Sequence, residues 1–128
     1  MSVQAMSQAA VVASLEGLDV TGVFDAPPVR AGLPYAVVEE AVLADWSTKD
    51  MAGREGRLAV LVHDGGERPV RLRGLAGAAE DAIAGMTREL GEGWRVVTLV
   101  LARSRIVRER DGRWVAMSEW RVRMLKEG

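Results

Sequence analysis

Few side chains in this sequence could carry out acid–base chemistry. His63 is the only histidine, and Glu39, Glu40 and Asp45 form a group of carboxylates that precedes it in the chain. A general acid or base needs a pKa near the working pH, which histidine has and which a carboxylate can acquire from its surroundings. A small hydrolase or isomerase that uses Glu39, Asp45 or His63 is therefore one alternative, although a lone histidine on a strand is more often structural than catalytic.

The sequence lacks the other patterns that mark catalytic, cofactor and metal sites. It contains no cysteine, which excludes thiolate chemistry and nearly excludes a zinc site, whereas an all-carboxylate site for a hard cation stays open. No serine has the flanking glycines of a nucleophile elbow, and the glycines at 53–56 and 91–93 lack the spacing of a phosphate or dinucleotide loop. We expect a protein that is not an enzyme and has no catalytic residue, cofactor or metal.

The length of 128 residues fits one domain over 1–128, and a net charge of −1 argues against a free nucleic-acid binder. The charges are unevenly placed. Residues 1–64 contain four Lys or Arg and nine Asp or Glu, whereas residues 65–128 contain thirteen and nine. Either these charges mix over one folded surface, or an acidic surface of one copy meets a basic surface of the next, and such a contact closes into a ring if the rotation per subunit allows it.

No stretch approaches the roughly 18 apolar residues that crossing a bilayer needs. Residues 1–16 also lack the basic leader of a signal peptide. Together with the missing cysteine, these observations predict a protein that is made in the cytoplasm and does not enter a membrane.

Hydrophobic periodicity predicts the elements of the fold. Those of the first half are a helix over 3–17, a short strand over 20–24, a strand over 35–43, a long hairpin loop over 44–55 and a return strand over 56–63. Those of the second half are a helix over 69–90, a strand over 94–107, a turn at 109–112 and a strand over 114–124. This order predicts the α+β class, with two helices packed on a mixed or antiparallel sheet of about four to five strands.

Four tryptophans divide into two kinds. Trp94, Trp114 and Trp120 lie in apolar strand patterns, so we expect them in the core, where each buries a large area. Trp46 lies in a polar loop, and it either folds back on its own sheet or anchors a contact, since tryptophan is enriched at binding hot spots. The adjacent Glu39 and Glu40 place a carboxylate on each face of the predicted strand 35–43, and one of them is a candidate for a partner contact.

Several segments in a fixed order indicate a family. They are the alanine-rich first helix, Val-Phe-Asp-Ala-Pro-Pro at 23–28, Leu-Pro-Tyr-Ala-Val-Val at 33–38, Asp-Trp-Ser-Thr-Lys at 45–49, the alternating strand ending near His63, the Ala/Gly helix with Leu75 and Ile83, and the final hairpin. Over roughly residues 8–124 this order resembles the tail terminator, or tail completion, proteins of long-tailed bacteriophages and gene transfer agents. The chain departs from the usual pattern in the short link 64–69 and in its arginine-rich last strands.

The resemblance implies a structural protein that works by shape. It implies a homo-oligomeric ring, usually of six copies, that caps the head-proximal end of the tail tube. Such a ring stops tube growth and joins the tail tube protein to the head–tail stopper or connector, and DNA passes through its hole. It would assemble in the bacterial cytoplasm and then remain in the particle. The alternatives are another head–tail connector subunit or a small dimeric protein-binding module.

We predict two groups of interface residues. The hairpin loop is expected to reach the tube or a neighbouring copy, and the polar end of the strand 94–107 is expected to pair with acidic residues of the adjacent copy. The residues of the two groups are Asp45, Trp46, Lys49 and Arg54 in the first, and Arg103, Arg105 and Arg108 in the second.

Overall fold

Within residues 1–127, which this computed structural model describes, the chain forms two helices and seven strands. In chain order they are α1 (Val3–Ser14), β1 (Val23–Phe24), β2 (Tyr35–Val38), β3 (Val42–Asp45), β4 (Gly53–Gly65), α2 (Val70–Ala84), β5 (Glu89–Gly91), β6 (Trp94–Arg108) and β7 (Arg113–Lys126). The predicted α+β class is confirmed, but the sheet has seven strands rather than four to five. Residue 128, the last of the predicted domain, lies outside the described residues. Neither helix in 1–127 has the length and apolar character needed to cross a bilayer.

Strand β4 is the centre of the sheet. The strand order is β1-β2-β4-β7-β6-β5, and β3 pairs with β4 beside the end of β2. Along its whole length β4 pairs antiparallel with β7, while on its other side β2 pairs with residues 60–63 and β3 with residues 54–57. Only β1 and β2 pair in parallel, so the sheet is mixed, as predicted.

The predicted strand 35–43 is in fact two strands, β2 and β3, separated by a bend at residues 39–41. Glu39 and Glu40 are both exposed at this bend, so they do not alternate across one strand. Gly56 allows the second strand to approach β4, because a Cβ at this position would overlap the Val42 carbonyl oxygen. The apolar residues at 35–38 and 41–43 made the segment resemble one strand, although Glu39 and Glu40 interrupt it. Strand β3 continues to Asp45 and β4 already begins at Gly53, so the loop between them spans 46–52 and not 44–55.

Both helices are shorter than predicted. Helix α2 ends at Ala84, where the Gly85 N–H donates to the Asp81 carbonyl, and helix α1 ends at Ser14. Leu90, predicted as the last helical position, lies in β5 and still packs against the core. Leu90 reaches the core from β5, and its position in the sequence continues the helical spacing by coincidence.

Both helices cover the same face of the sheet, and the core lies between the helices and the sheet. Alternate residues of β4 and β7 are buried there against α2, as predicted: Leu58, Val60, Val62, Ala116, Trp120, Val122 and Met124 against Leu72, Leu75, Ala79 and Ile83. Trp94 and Trp120 are buried, whereas Trp114 is half-buried and its Nε1–H donates to the Gly66 carbonyl at 3.0 Å. The opposite face carries no helix and is called the helix-free face below.

The turn between β6 and β7 forms where the sequence predicts it. Asp111 and Gly112 both have a positive φ, of 64° and 69°. This backbone geometry matches the twist of a two-stranded hairpin, and Asp-Gly adopts it readily. The turn thereby fixes the pairing of β6 with β7.

An ion pair holds the start of α2 to the end of β4. The buried carboxylate of Asp64 accepts from Arg71 Nε at 2.9 Å and from Arg71 Nη2 at 2.6 Å, and it also accepts from the Gly65 N–H at 2.8 Å. These hydrogen bonds, those from Arg71 foremost, hold the pKa of the Asp64 carboxyl below its ordinary value. The pair therefore stabilises the fold when Asp64 is ionised.

Substitution of Asp64 by asparagine is expected to lower the free energy of unfolding at pH 7 by about 1–2 kcal/mol, since a charged hydrogen bond is lost while the exposed Arg71 head group limits the cost. Because the pKa is lowered on folding, this contribution is present above about pH 4 and is lost as the pH falls through the folded-state pKa. Urea denaturation at pH 7 and at about pH 3 measures both effects. Asp81→Asn, at an exposed position of α2, is the control, and equal acid sensitivity of wild type and Asp64→Asn would contradict the assignment.

Candidate assembly interface

The predicted interface residues lie at two edges of the sheet. Asp45 ends β3 and lies opposite Arg54 of β4, with Trp46 directly after it. The three arginines of the second group lie on β6, which is separated from β3 by β4 and β7. Three strand spacings of about 4.8 Å put the two edges roughly 14 Å apart. The structure therefore keeps the two groups apart, and within the second group Arg108 faces the opposite side of the sheet from Arg103 and Arg105.

The loop 46–52 is fixed by its own hydrogen bonds. The Ser47 hydroxyl donates to Asp45 Oδ1 at 2.6 Å and accepts from the Gly53 N–H at 3.0 Å, and the Trp46 N–H donates to the Gly53 carbonyl at 3.0 Å. The hydrogen bonds from Ser47 hold the pKa of the Asp45 carboxyl below its ordinary value, and the charge of Arg54 adds a smaller effect. Asp45 is thus an exposed, ionised carboxylate in a defined position.

Trp46 folds back toward the sheet without entering the core. It is half-buried, and the guanidinium carbon of Arg123 lies 4.9 Å from its ring centroid. Arg123 Nε in turn donates to Glu55 Oε1 at 3.2 Å. Part of the indole remains accessible, so its predicted role as a contact anchor stays a prediction.

The other two residues of the first group differ in their surroundings. Arg54 Nη1 lies 3.4 Å from Asp45 Oδ1, and its guanidinium lies 5.9 Å from the Trp94 ring. Lys49 is exposed in the loop. Arg54 therefore holds the base of the hairpin together, and Lys49 presents its charge to solvent.

The arginines of β6 also differ from one another. Arg103 Nη2 lies 3.6 Å from Glu119 Oε2, and the Arg108 guanidinium lies 5.4 Å from the Trp114 ring. Arg105 is exposed and has no ion-pair partner among the residues that the structure describes. Of the three, Arg105 makes neither an ion pair nor a ring contact with the described residues, so its charge is the most available to a partner.

The residues considered for catalysis do not converge. Asp45 of β3 lies opposite Arg54 of β4, and His63 lies nine residues further along β4. This separation corresponds to about 30 Å along the strand. The His63 ring stacks on Tyr35 at 4.8 Å, and burial lowers its pKa despite Glu109 at 3.6 Å. In residues 1–127 no group of three or more His, Asp or Glu side chains is arranged to hold a metal.

Both edges also carry exposed apolar side chains, which were not predicted from the sequence. Four apolar side chains that lie on β3 and β6 are exposed, at 70%, 48%, 47% and 38%: Val42, Val97, Val100 and Leu101. The apolar residues on both sides of Thr98 in the segment 96–101 were a signal, because a strand with one solvated face ordinarily alternates apolar and polar residues. On the helix-free face, a groove of about 600 Å³ lies between these edges and is lined from β3, β4, β6 and β7.

Two solved structures resemble this fold. A chain of the virion of a native gene transfer agent particle has a TM-score of 0.81 and 26% identity, and the match covers 98% of this chain and 99% of that chain. The bacteriophage SPP1 gp17 protein has a TM-score of 0.52 and 20% identity, covering 100% and 97%, a likeness that concerns the fold alone. The curated proteins contain no match to this chain. The chain therefore has the fold of a component of a gene transfer agent virion and of a bacteriophage protein.

The family follows from the sequence itself. The chain belongs to the tail completion protein gp17 family, whose sequence profile matches residues 3–124. Its role is accordingly a structural one in the completion of phage or gene-transfer-agent tails. The family resemblance that was inferred from the order of the sequence segments is thereby confirmed.

Replacement of Trp46 by alanine is expected to lower the free energy of unfolding by about 1–2 kcal/mol, because the ring is half-buried and its contact with Arg123 is an exposed cation–π pair. Trp120→Ala, in the core, is the comparison and should cost about 3–5 kcal/mol. Denaturation followed by circular dichroism measures both variants. A loss in Trp46→Ala as large as that in Trp120→Ala would place Trp46 in the core.

Proposed function

We propose that six copies of this chain form a ring at the head-proximal end of a tail tube. The ring ends tube growth and joins the tail to the head connector or stopper, and DNA passes through its centre. The observation that carries this proposal is the family match over residues 3–124. The likeness over 98% of the chain to a component of a gene transfer agent virion supports it.

A ring of identical subunits needs two different surfaces that fit each other, since only a head-to-tail contact closes by rotation. This chain has unlike surfaces at opposite edges of one sheet. The edge at β2 and β3 carries the exposed carboxylates Glu39, Glu40 and Asp45, and the β6 edge carries Arg103 and Arg105. Complementary charges of this kind orient subunits and suppress wrong contacts.

The loop 46–52 is our candidate for the contact with the tail tube protein or a neighbouring copy. It lies at the end of β3 and β4, and its internal hydrogen bonds give it one shape before assembly. A preformed loop binds with a smaller loss of conformational entropy than a flexible one. The free charge of Lys49 and the accessible part of Trp46 are its contact groups.

We infer further that the chain catalyses no reaction and that it is made in the bacterial cytoplasm before it joins the particle. The separation of about 30 Å between Asp45 and His63 supports the first inference, because acid–base partners act within hydrogen-bond reach. DNA meets the ring only in passage, and no membrane is involved. The activity of the subunit is then its shape.

Arg105→Glu is expected to give a folded subunit that does not form rings, because a glutamate at this position repels the acidic edge of the next copy. A cost of about 1 kcal/mol at one contact is repeated at every contact around a ring, so we expect ring yield to fall at least tenfold. Native mass spectrometry measures ring formation, and circular dichroism checks the fold. Arg73→Glu, an equal charge change at an exposed position of α2, is the control, and normal tails assembled with Arg105→Glu would refute the contact.

A further inference from the structure

We propose that neighbouring copies join by main-chain pairing, with β3 of one copy antiparallel to β6 of the next, so that the sheet continues from subunit to subunit. This inference rests on the proposed ring and names the contact that closes it. The partner of each edge is a second copy of this chain.

Both strands have an unpaired outer edge among the described residues. On its outer side β6 pairs with β5 only at Trp94 and Arg95, which leaves residues 97–108 without a partner strand over about 40 Å. β3 pairs with β4 on one side and with no strand of residues 1–127 on the other. Unpaired N–H and C=O groups along a strand are a template for another strand.

The directions of the two strands fit this pairing. β3 is antiparallel to β4, β4 to β7 and β7 to β6. Strands β3 and β6 therefore run in opposite directions, and they form an antiparallel pair when copies are placed side by side in the same orientation. A four-stranded antiparallel unit can repeat in this way without turning any copy over.

The free hydrogen-bonding groups also lie on matching residues. The Trp46 N–H donates to Gly53, so the alternation of an antiparallel ladder directs the backbone of Leu43 outward. The Glu109 N–H donates to the Arg113 carbonyl, so the same alternation directs the backbone of Ser104 and Ile106 outward on β6, on the far side of the bulge from the stretch 98–101 that faces β3. Each of these side chains lies on the helix-covered face, since Leu43 and Ile106 pack against the core and Ser104 donates to Glu80 of α2. Pairing thus keeps the helices of all copies on one side of the joined sheet.

A straight continuation of the sheet brings apolar side chains together. Across the sheet, Val42 of β3 lies opposite Arg57 of β4. Arg57 lies opposite Arg121 of β7, and Arg121 lies opposite Val100 of β6. Val42 of one copy is therefore level with Val100 of the next. Both side chains are exposed in the subunit, at 70% and 47%, and the pairing would bury them against each other.

The same alignment brings opposite charges together. The Glu39 N–H donates to the Ala59 carbonyl, Ala59 lies opposite Glu119, and Glu119 lies opposite Arg103. Glu39 and its neighbour at position 40 are therefore level with Arg103 of the next copy. One alignment accounts for the exposed Val42 and Val100, the exposed carboxylates of the bend and Arg103 of β6.

Bulges in β6 limit which strands can pair with it. The register shifts between Val96 and Thr98 and again between Leu101 and Arg103. Bulges of this kind protect an edge against indiscriminate pairing. The regular stretch 98–101 between them is short, and residues 42–44 of β3 are level with residues 98–100 inside it, so a short strand fits where a long one would not.

Engineered disulfides test the pairing, because the chain has no cysteine of its own. Ala44 is level with Thr98 through Glu55 and Arg123, and within one copy the two are roughly 14 Å apart, beyond the Cα separation of about 7 Å that a disulfide allows. Oxidation of the double variant Ala44→Cys/Thr98→Cys should therefore link different copies. We expect a ladder of linked species that ends at one closed ring, and mixing the two single variants should give heterodimers only.

The control variant is Ala44→Cys/Ala78→Cys, in which the second cysteine lies on the exposed side of α2; it should give no ladder. If native mass spectrometry shows rings but Ala44→Cys/Thr98→Cys does not link them, the strand pairing is wrong and the proposed ring stands. If no rings form at any concentration, with or without tail tube protein, both the pairing and the proposed function are wrong.

A second variant keeps the test independent of disulfide geometry. Val42→Glu places a charge at the proposed apolar contact, and it should reduce ring yield at least tenfold while leaving the melting temperature of the subunit unchanged. Val29→Glu is the matched control, because Val29 is likewise an exposed valine but lies outside the contact. Unimpaired rings in Val42→Glu would overturn the pairing.

Discussion

The structure depends on the pairing of β4 with two strands on one side and one strand on the other. Over thirteen residues β4 pairs with β7, and this ladder carries the core residues that α2 covers. On the opposite side, the bend at 39–41 lets β2 and β3 share β4 between them. Because β3 is attached only through β4, the position of the hairpin and its charged residues follows from that one strand.

Local patterns were sufficient for the elements whose side chains alternate against a single core. Buried and more exposed residues alternate along β4 and β7 as the sequence predicts, and the Asp-Gly turn lies at 111–112 as predicted. The failures have a common cause. At the bend 39–41 and at the end of α2, the residues that follow also contact the core, so the hydrophobic pattern continues while the backbone changes direction. Periodicity records which residues are buried and not which element buries them.

The candidate interface could be predicted only in part for a similar reason. Charged residues are visible in a sequence, and Asp45, Trp46 and the arginines of β6 are indeed at the surface or half-buried. Whether a charge is free depends on tertiary neighbours: Glu119 lies close enough to pair with Arg103, whereas Arg105 has no such partner in the described chain. The exposed valines at 42 and 100 were missed because apolar residues in a strand are ordinarily assigned to a core, and strand order alone shows that these lie at an edge.

The shortness of β3 has a consequence for how copies would come together. In the proposed pairing only Leu43 and Asp45 direct their backbone outward, and Asp45 is level with the bulge of β6 at 96–98. One junction would therefore add about two to four hydrogen bonds, each with a net contribution of about 1 kcal/mol. A single junction is then weak and reversible, and a wrongly seated copy dissociates before the circle closes. Closure of the proposed ring would make every junction intramolecular, so that subunits joined by weak and readily corrected contacts would be held together more firmly.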